Sequence, residues 1–314
     1  MKVAIVGVGA LGSVYGVKLS RVAEVTFVVR SLDRAPTVMR LEHVTGPERD
    51  VLESPRATTE IPADIDAVLV AVRVDQLDEL LWDKLARETP NDAIVVVLAP
   101  LLPHRYEHAR EKLGDRLVPA LPGVVAYDPD ERPRERRVRY WTPRASPTQL
   151  EDRPAADPNR ARIHALVARM RDAGIPADVS NKVRGTNAAV TIAFFPMLTG
   201  IAAGGGSIDR MLADDALMKL GFAAAKETRA IAKSLGDMPP WASMFFNFVG
   251  PFTARAGIKL GRAKAPEAFT FLERHFGHKL TEQNVAIFHE IEQLARERGI
   301  SVDNLRKLVA RAHP

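Results

Sequence analysis

The feature that most limits what this chain can fold into is its opening stretch, KVAIVGVGALGSVYGVKLSRVAEVTFVVR, residues 2–30. Val3 to Val6 is a short apolar run stopped at once by Gly7, the mark of a strand buried on both faces. Gly7, Gly9 and Gly12 follow in the spacing G-x-G-x-x-G, and Leu11, Val14, Tyr15 and Lys18 recur at helical spacing. A second apolar run, Val25 to Val29, completes a segment of the ~30 residues a βαβ crossover needs. In such a unit Gly7 permits the tight turn, Gly9 lets backbone approach a pyrophosphate, and Gly12 lets the helix lie close on the strand. Ala10 and Leu11 then open a helix whose free N–H groups and positive dipole end suit an anion. The implication is a dinucleotide site; the plainer alternative is a glycine turn with no ligand.

The end of the second strand bears on which dinucleotide. An acid there would bond the ribose 2′-OH of NAD, whereas an arginine suits the 2′-phosphate of NADP. This chain has Arg30 and then Ser31, with no Asp or Glu from Val25 to Leu32. NADP is therefore the expected cofactor, against the alternative of a solvated arginine at a strand tip.

At 314 residues the chain is long enough for two domains. The absence of Cys excludes disulfides, thiolate metal sites and cysteine nucleophiles, and fits a reducing cytoplasm. A strand beginning at Lys2 leaves no space for a signal peptide, so a cytoplasmic location is expected. Net charge is +5, and the one dense basic segment interleaves Arg132, Arg134, Arg136, Arg137 and Arg139 with Glu131 and Glu135. That alternation reads as a solvated hairpin edge rather than a nucleic-acid surface. The uncharged stretch Gly185 to Ile208 is long enough to span a bilayer, but Asn187, Thr191, Pro196 and a glycine triplet favour a buried central helix.

Along the rest of the chain, strands are expected at Asp66–Val72, Ala93–Leu98 and Leu117–Leu121, separated by helices over 76–87 and 103–113. A short helix after Arg30 and a small hairpin within 43–59 precede them. This alternation implies an α/β fold, a Rossmann-type doubly wound parallel sheet. Arg137–Thr142 and Thr148–Glu151 read as antiparallel edge strands, Ala161–Ala173 as a helix and Ala177–Ser180 as a last strand. From residue 181 only helices are expected, at 182–201, 208–235, 264–274, 279–298 and 302–311. The expected division is thus a dinucleotide-binding domain over 1–180 and an all-helical substrate and dimerisation domain over 181–314.

The chain resembles the ketopantoate reductase (2-dehydropantoate 2-reductase) family over nearly its whole length. The resemblance rests on GVGALGS at Gly7–Ser13, Arg30 at the end of strand two, and V-R-V-D-Q at Val72–Gln76, similar to the family's V-K-x-x-Q. It implies that Arg73 and Gln76 border the cofactor. Near the C-terminus Thr281-Glu282 looks like the family's T-E pair, and Thr270 falls at the spacing of a hydroxyl residue that contacts substrate. Two departures stand out. The family's Asn-Gly pair is replaced by Ala99-Pro100-Leu101, and its catalytic lysine has no counterpart across Gly185 to Gly200, where its register falls near Val190 and the nearest polar side chain is Asn187.

The resemblance implies hydride transfer from NADPH to a small carbonyl substrate, with Glu282 and Thr270 as candidate catalytic residues; Asn187 and Lys279 join them as candidates from the chain's own polar groups, in place of the missing lysine. Hydride transfer also needs a group to protonate or polarise the carbonyl oxygen. Lys279, Lys182 and His278 are the candidates, Lys279 standing three residues before Glu282. His275, His278 and Glu282 have helical metal-ligand spacing, but surface histidines are commoner and no metal is expected. A homodimer is the expected assembly. Two alternatives are a reductase of a bulkier substrate, using Phe194, Phe195, Trp241, Phe245 and Phe246, and a non-catalytic NADPH-binding relative.

Overall fold

The computed structural model describes residues 1–130, 132, 134–143, 146–235, 251–264, 266–277 and 281–313. The chain forms two compact units, Met1–Arg184 and Gly185–Pro314.

In the first unit β1 (Lys2–Val6), α1 (Ala10–Leu19) and β2 (Glu24–Val28) make the expected crossover, with β1 and β2 parallel. A 3₁₀ turn at Leu32–Arg34 leads to the hairpin β3 (Val38–His43) and β4 (Arg49–Glu53), then β5 (Ala57–Thr58). The hairpin begins several residues before the polar stretch in which the sequence suggested it. Next come β6 (Ala67–Val70), α2 (Glu79–Glu88), β7 (Ile94–Val97), α3 (Pro103–Leu113) and β8 (Leu117–Leu121). The last strands are β9 (Val125–Tyr127), β10 (Glu135–Trp141), β11 (Thr148–Glu151) and β12 (Ala177–Ser180), with α4 (Arg160–Asp172) before β12.

The large sheet has eight strands in the order β12-β11-β8-β7-β6-β1-β2-β5. All its pairs are parallel except β11 with β8. Strand order reverses at β1, which has β2 on one side and β6 on the other, so the carboxyl ends of β1 and β6 border a crevice of the kind that binds nucleotides. Val3, Ile5, Ala67, Leu69, Ile94 and Val96 form the centre of a continuous core. They are apolar on successive residues because helices cover both faces of a parallel sheet.

A second sheet, in the order β4-β3-β10-β9, lies against α1. Two sequence expectations change here. Neither β10 nor β11 is an edge strand: β10 is parallel to β3 and antiparallel to β9, and β11 sits between β8 and β12. Alternation of Val138 and Tyr140 with arginines identifies the buried face but carries no information on how many neighbours a strand has. The β10 arginines are also paired rather than merely solvated: Arg136 bonds the buried Asp128 carboxylate at 3.0 Å and Arg137 bonds Glu42 at 2.9 Å.

The second unit is helical throughout its described residues. It comprises α5 (Val183–Ala203), which begins just before the boundary, α6 (Ile208–Ala213), α7 (Asp215–Ser234), α8 (Pro251–Lys264), α9 (Pro266–Gly277), α10 (Thr281–Glu297) and α11 (Asp303–Ala312). The single helix expected over 208–235 breaks at Asp214, whose carboxylate caps α7 by accepting from the Leu217 N–H at 2.8 Å. Helix α8 has no counterpart in the sequence reading. Glu227 of α7 accepts from the Asn304 and Leu305 N–H groups at 3.1 and 2.9 Å, fixing the start of α11. By length and composition α5 could cross a membrane, yet over half of it is buried within the protein.

Candidate cofactor site

The parallel arrangement of β2, β1, β6 and β7 sends four connections out at one edge of the large sheet. These are the glycine loop Gly7–Gly12, Arg30, the segment Ala71–Gln76, and Ala99–Leu101. The sequence thus places its cofactor candidates together through strand polarity alone.

Each glycine of the loop has its own physical reason. Gly7 has φ +96°, and a Cβ there would lie 2.7 Å from Val72 Cγ1 and 2.8 Å from Ala71 O, so the turn is pressed against the end of β6. A Cβ on Gly12 would lie 2.0 Å from Gly7 O, which is how closely α1 sits on the loop. A Cβ on Gly9 would meet nothing within 4 Å. Gly9 is nevertheless the N-cap of α1 and provides no side chain for the first-turn N–H groups. The space over Gly9 and the uncapped N–H groups of Ala10 and Leu11 together suit an anion, and a pyrophosphate fits the chemistry of that edge.

Helix α1 is held on both sides. Toward the large sheet, Gly16 lies under the Phe27 ring, where a Cβ would approach to 2.3 Å. Toward the small sheet, Lys18 is 2% exposed and its ammonium lies 3.0 Å from Glu48 and 3.4 Å from Asp50. Arg21 also pairs with Asp50, and the Tyr140 hydroxyl donates to Glu48 at 2.9 Å. The Lys18 bond is the main cause holding the Glu48 carboxyl below its ordinary range. The Tyr15 hydroxyl shares a 2.5 Å hydrogen bond with Thr148, which in turn accepts from the Gly123 N–H at 3.0 Å. Burial pushes the Tyr15 phenol upward, so it stays neutral. By sequence Tyr15 and Lys18 are only helix-spacing residues; their polar ends find partners 133 and 30 positions away, which spacing cannot assign.

Arg30 is exposed at the strand end. Arg73 is more constrained: its guanidinium grips the Asp75 carboxylate through two hydrogen bonds, 3.0 and 2.6 Å, and its N–H donates to Gln76 Oε1 at 3.3 Å. Arg73 and Gln76 thus shape the turn after β6, next to the loop containing Gly7. At the position of the expected Asn-Gly pair, Ala99 is buried.

The other candidates lie in the second unit on separate helices. Asn187 is buried on α5, where its amide oxygen accepts from Thr191 at 3.5 Å. Thr270 on α9 turns its hydroxyl back to Pro266 O at 3.2 Å. Glu282 is exposed in the first turn of α10. Lys279 and His278 lie outside the described residues, as do Trp241, Phe245 and Phe246. Phe195 is core, at 1% exposure. No group of acids and histidines with metal-binding geometry occurs among the described residues.

The family model for ketopantoate reductase PanE/ApbA matches residues 3–125, the part that builds this edge of the sheet. That match covers the greater part of the N-terminal unit and none of the helical one. No curated protein matches the sequence. Solved structures match it over its full length. A 2-dehydropantoate 2-reductase from Geobacter metallireducens is 19% identical, with 99% of each chain covered and a TM-score of 0.67. D-mandelate dehydrogenase, in a ternary structure with NADH and anilino(oxo)acetate, is 14% identical, covering 100% of this chain and 97% of its own at a TM-score of 0.68. A dimeric ketopantoate reductase from Staphylococcus aureus is 12% identical, covering 99% and 97% at 0.65. At such identities the likeness establishes the fold, a Rossmann-type sheet followed by a helical unit as in ketopantoate reductases.

Proposed function

We propose that the chain is an NADPH-dependent reductase of a small 2-oxo-acid-like substrate, and that its substrate is not ketopantoate. The observation that carries the cofactor half is the open, uncapped start of α1 at Gly9, at the same sheet edge as the exposed Arg30. Bound NADPH would supply the hydride. The N–H groups of Ala10 and Leu11 would hold the pyrophosphate, and Arg30 the 2′-phosphate. Arg73 and Gln76, held by Asp75 and by each other, would wall the neighbouring side. A solved neighbour with NADH makes NADP preference a point for experiment.

The substrate half of the proposal rests on two replacements. Ala99 offers no carboxamide, and Val190 stands where the resemblance expects a lysine. General-acid help contributes roughly 10²–10⁴-fold to such a step, and an amide such as Asn187 is a poor proton donor at neutral pH. Lys182 is exposed just before α5 and remains a donor candidate with Lys279; Glu282 and Thr270 are candidate substrate contacts. The test is steady-state NADPH oxidation with ketopantoate and a panel of 2-oxo acids differing in bulk. Turnover of a panel member with ketopantoate slow or inert is the expected result. Ketopantoate turnover in the ordinary range of ~1–10³ per second would refute the substrate half. The dimeric neighbour supports a homodimer, which light scattering would measure.

A further inference from the structure

We infer that Arg184 anchors the carboxylate of the substrate, taking over what a carboxamide at position 99 would supply. The inference rests on the reductase reading above and names the residue that makes the preferred substrate an acid. Because β7 runs parallel to β6, and β6 to β1, the chain beyond Val97 emerges at the same sheet edge as Gly7–Gly12. It passes the buried Ala99 and enters α3 at Pro103. The first turn of that helix is tied down. The Arg105 guanidinium donates to Val74 O at 3.1 Å, and the Tyr106 N–H donates to Leu102 O at 2.8 Å. Tyr106 is 5% exposed, so its ring is held in place. The Arg184 guanidinium carbon lies 4.6 Å from the centre of that ring. Arg184 closes the first unit, so both side chains belong to the unit that carries the glycine loop.

Two arginines of the neighbouring turns are already engaged, Arg73 by the Asp75 carboxylate and Arg105 by Val74 O. Arg184 differs from them. It is exposed and has no carboxylate partner among the described residues. What holds it is a tyrosine ring, which attracts a cation through its quadrupole and brings no compensating charge. A guanidinium placed in this way keeps its planar fork of N–H donors for an outside anion. A carboxylate matches that fork with two parallel hydrogen bonds, which neither an ammonium nor a carboxamide can reproduce. A 2-oxo acid presents such a group next to the carbonyl that takes the hydride.

The probes are a 2-oxo acid that the parent reduces and the amide of the same acid, which keeps the carbonyl and loses the charge. Steady-state NADPH oxidation would be measured for the full chain and its Arg184→Gln and Arg184→Lys variants. The amide is read as a substrate or, where it is not reduced, as a competitor of the acid. Arg184→Gln should raise KM for the acid about tenfold, with kcat little changed. Its KM or inhibition constant for the amide, and its affinity for NADPH, should match the parent. Arg184→Lys keeps the charge without the fork and should fall between, at about threefold. The side chain is exposed, so thermal melts should not move. A parental KM for the acid in Arg184→Gln overturns this inference alone. So does an equal loss for acid and amide, or a loss of NADPH affinity. A parent that reduces no 2-oxo acid overturns the underlying reading and this inference with it.

Discussion

Two glycines three residues apart should respond to substitution in opposite ways. In Gly12→Ala the new Cβ would fall 2.0 Å from Gly7 O and 3.2 Å from Ala71 Cβ. The ordinary response, a small retreat of the helix, is blocked because α1 is packed against the small sheet on its other side. Overpacking costs typically 1–3 kcal/mol, and a site closed on both sides belongs at the upper end, ~3 kcal/mol. For a unit the size of Met1–Arg184 this is a Tm drop of roughly 6–12 °C. Gly9→Val meets nothing within 4 Å of its Cβ, and the Gly9 backbone, φ −81° and ψ −169°, is extended and open to a β-branched residue. Loss of a favourable N-cap costs about 1 kcal/mol, or ~2–4 °C. The added methyl groups would nevertheless fill the space above the uncapped N–H groups, so NADPH binding should disappear. Calorimetric melting and fluorescence titration of both variants test this together. A Gly9→Val protein that binds NADPH with parental affinity would refute the placement of the pyrophosphate. A Gly12→Ala protein with an unchanged Tm would refute the claim that α1 is immobile.

Arg30→Ala should lower NADPH affinity about tenfold and leave NADH unchanged, since a charge-assisted contact contributes roughly 1.5–3 kcal/mol; equal losses for both cofactors would show that Arg30 does not meet the 2′-phosphate. Lys18→Met should destabilise the first unit by about 3 kcal/mol in urea unfolding, because the Asp50 carboxylate, 3% exposed, is left with Arg21 alone. The Asp152 carboxyl is held at about 2, first by its His164 hydrogen bond and then by Arg160. A depressed carboxyl stabilises the fold above its unfolded pKa, so this contribution should be complete above roughly pH 4 and fade as pH falls through the folded value. Asp152→Asn should accordingly flatten that part of the acid stability profile.

The sequence disclosed most where local backbone chemistry decides the structure. Helix α3 runs from Pro103 to Leu113 as expected, because proline opens it and Gly114, with φ +58°, ends it. The shape of the glycine loop was legible for the same reason: Gly7 needs a positive φ, and Gly12 needs to have no side chain. Where distant packing decides, the sequence was silent. Helix α8 was missed because Gly257 and Gly261 weaken its propensity; Gly261 is there because the Phe269 ring of α9 lies 3.0 Å from where its Cβ would be. The parallel pairing of β10 with β3 joins residues nearly a hundred positions apart, which alternation cannot reveal. The polar ends of Tyr15 and Lys18 were invisible for the same reason.

The burial of α1 from Gly12 to Leu19 has a consequence for how the site meets its ligand. A helix pinned by Phe27 on one side and by the Lys18 ion pairs on the other is already in its final place when a dinucleotide arrives. Little ordering entropy is then lost on association, and the loop docks its ligand rather than closing around it. In hydrogen exchange the amides in the body of α1 should be among the slowest in the chain with or without cofactor. The protection that a dinucleotide adds should be confined to the few N–H groups between Gly7 and Gly12, where the backbone still faces water.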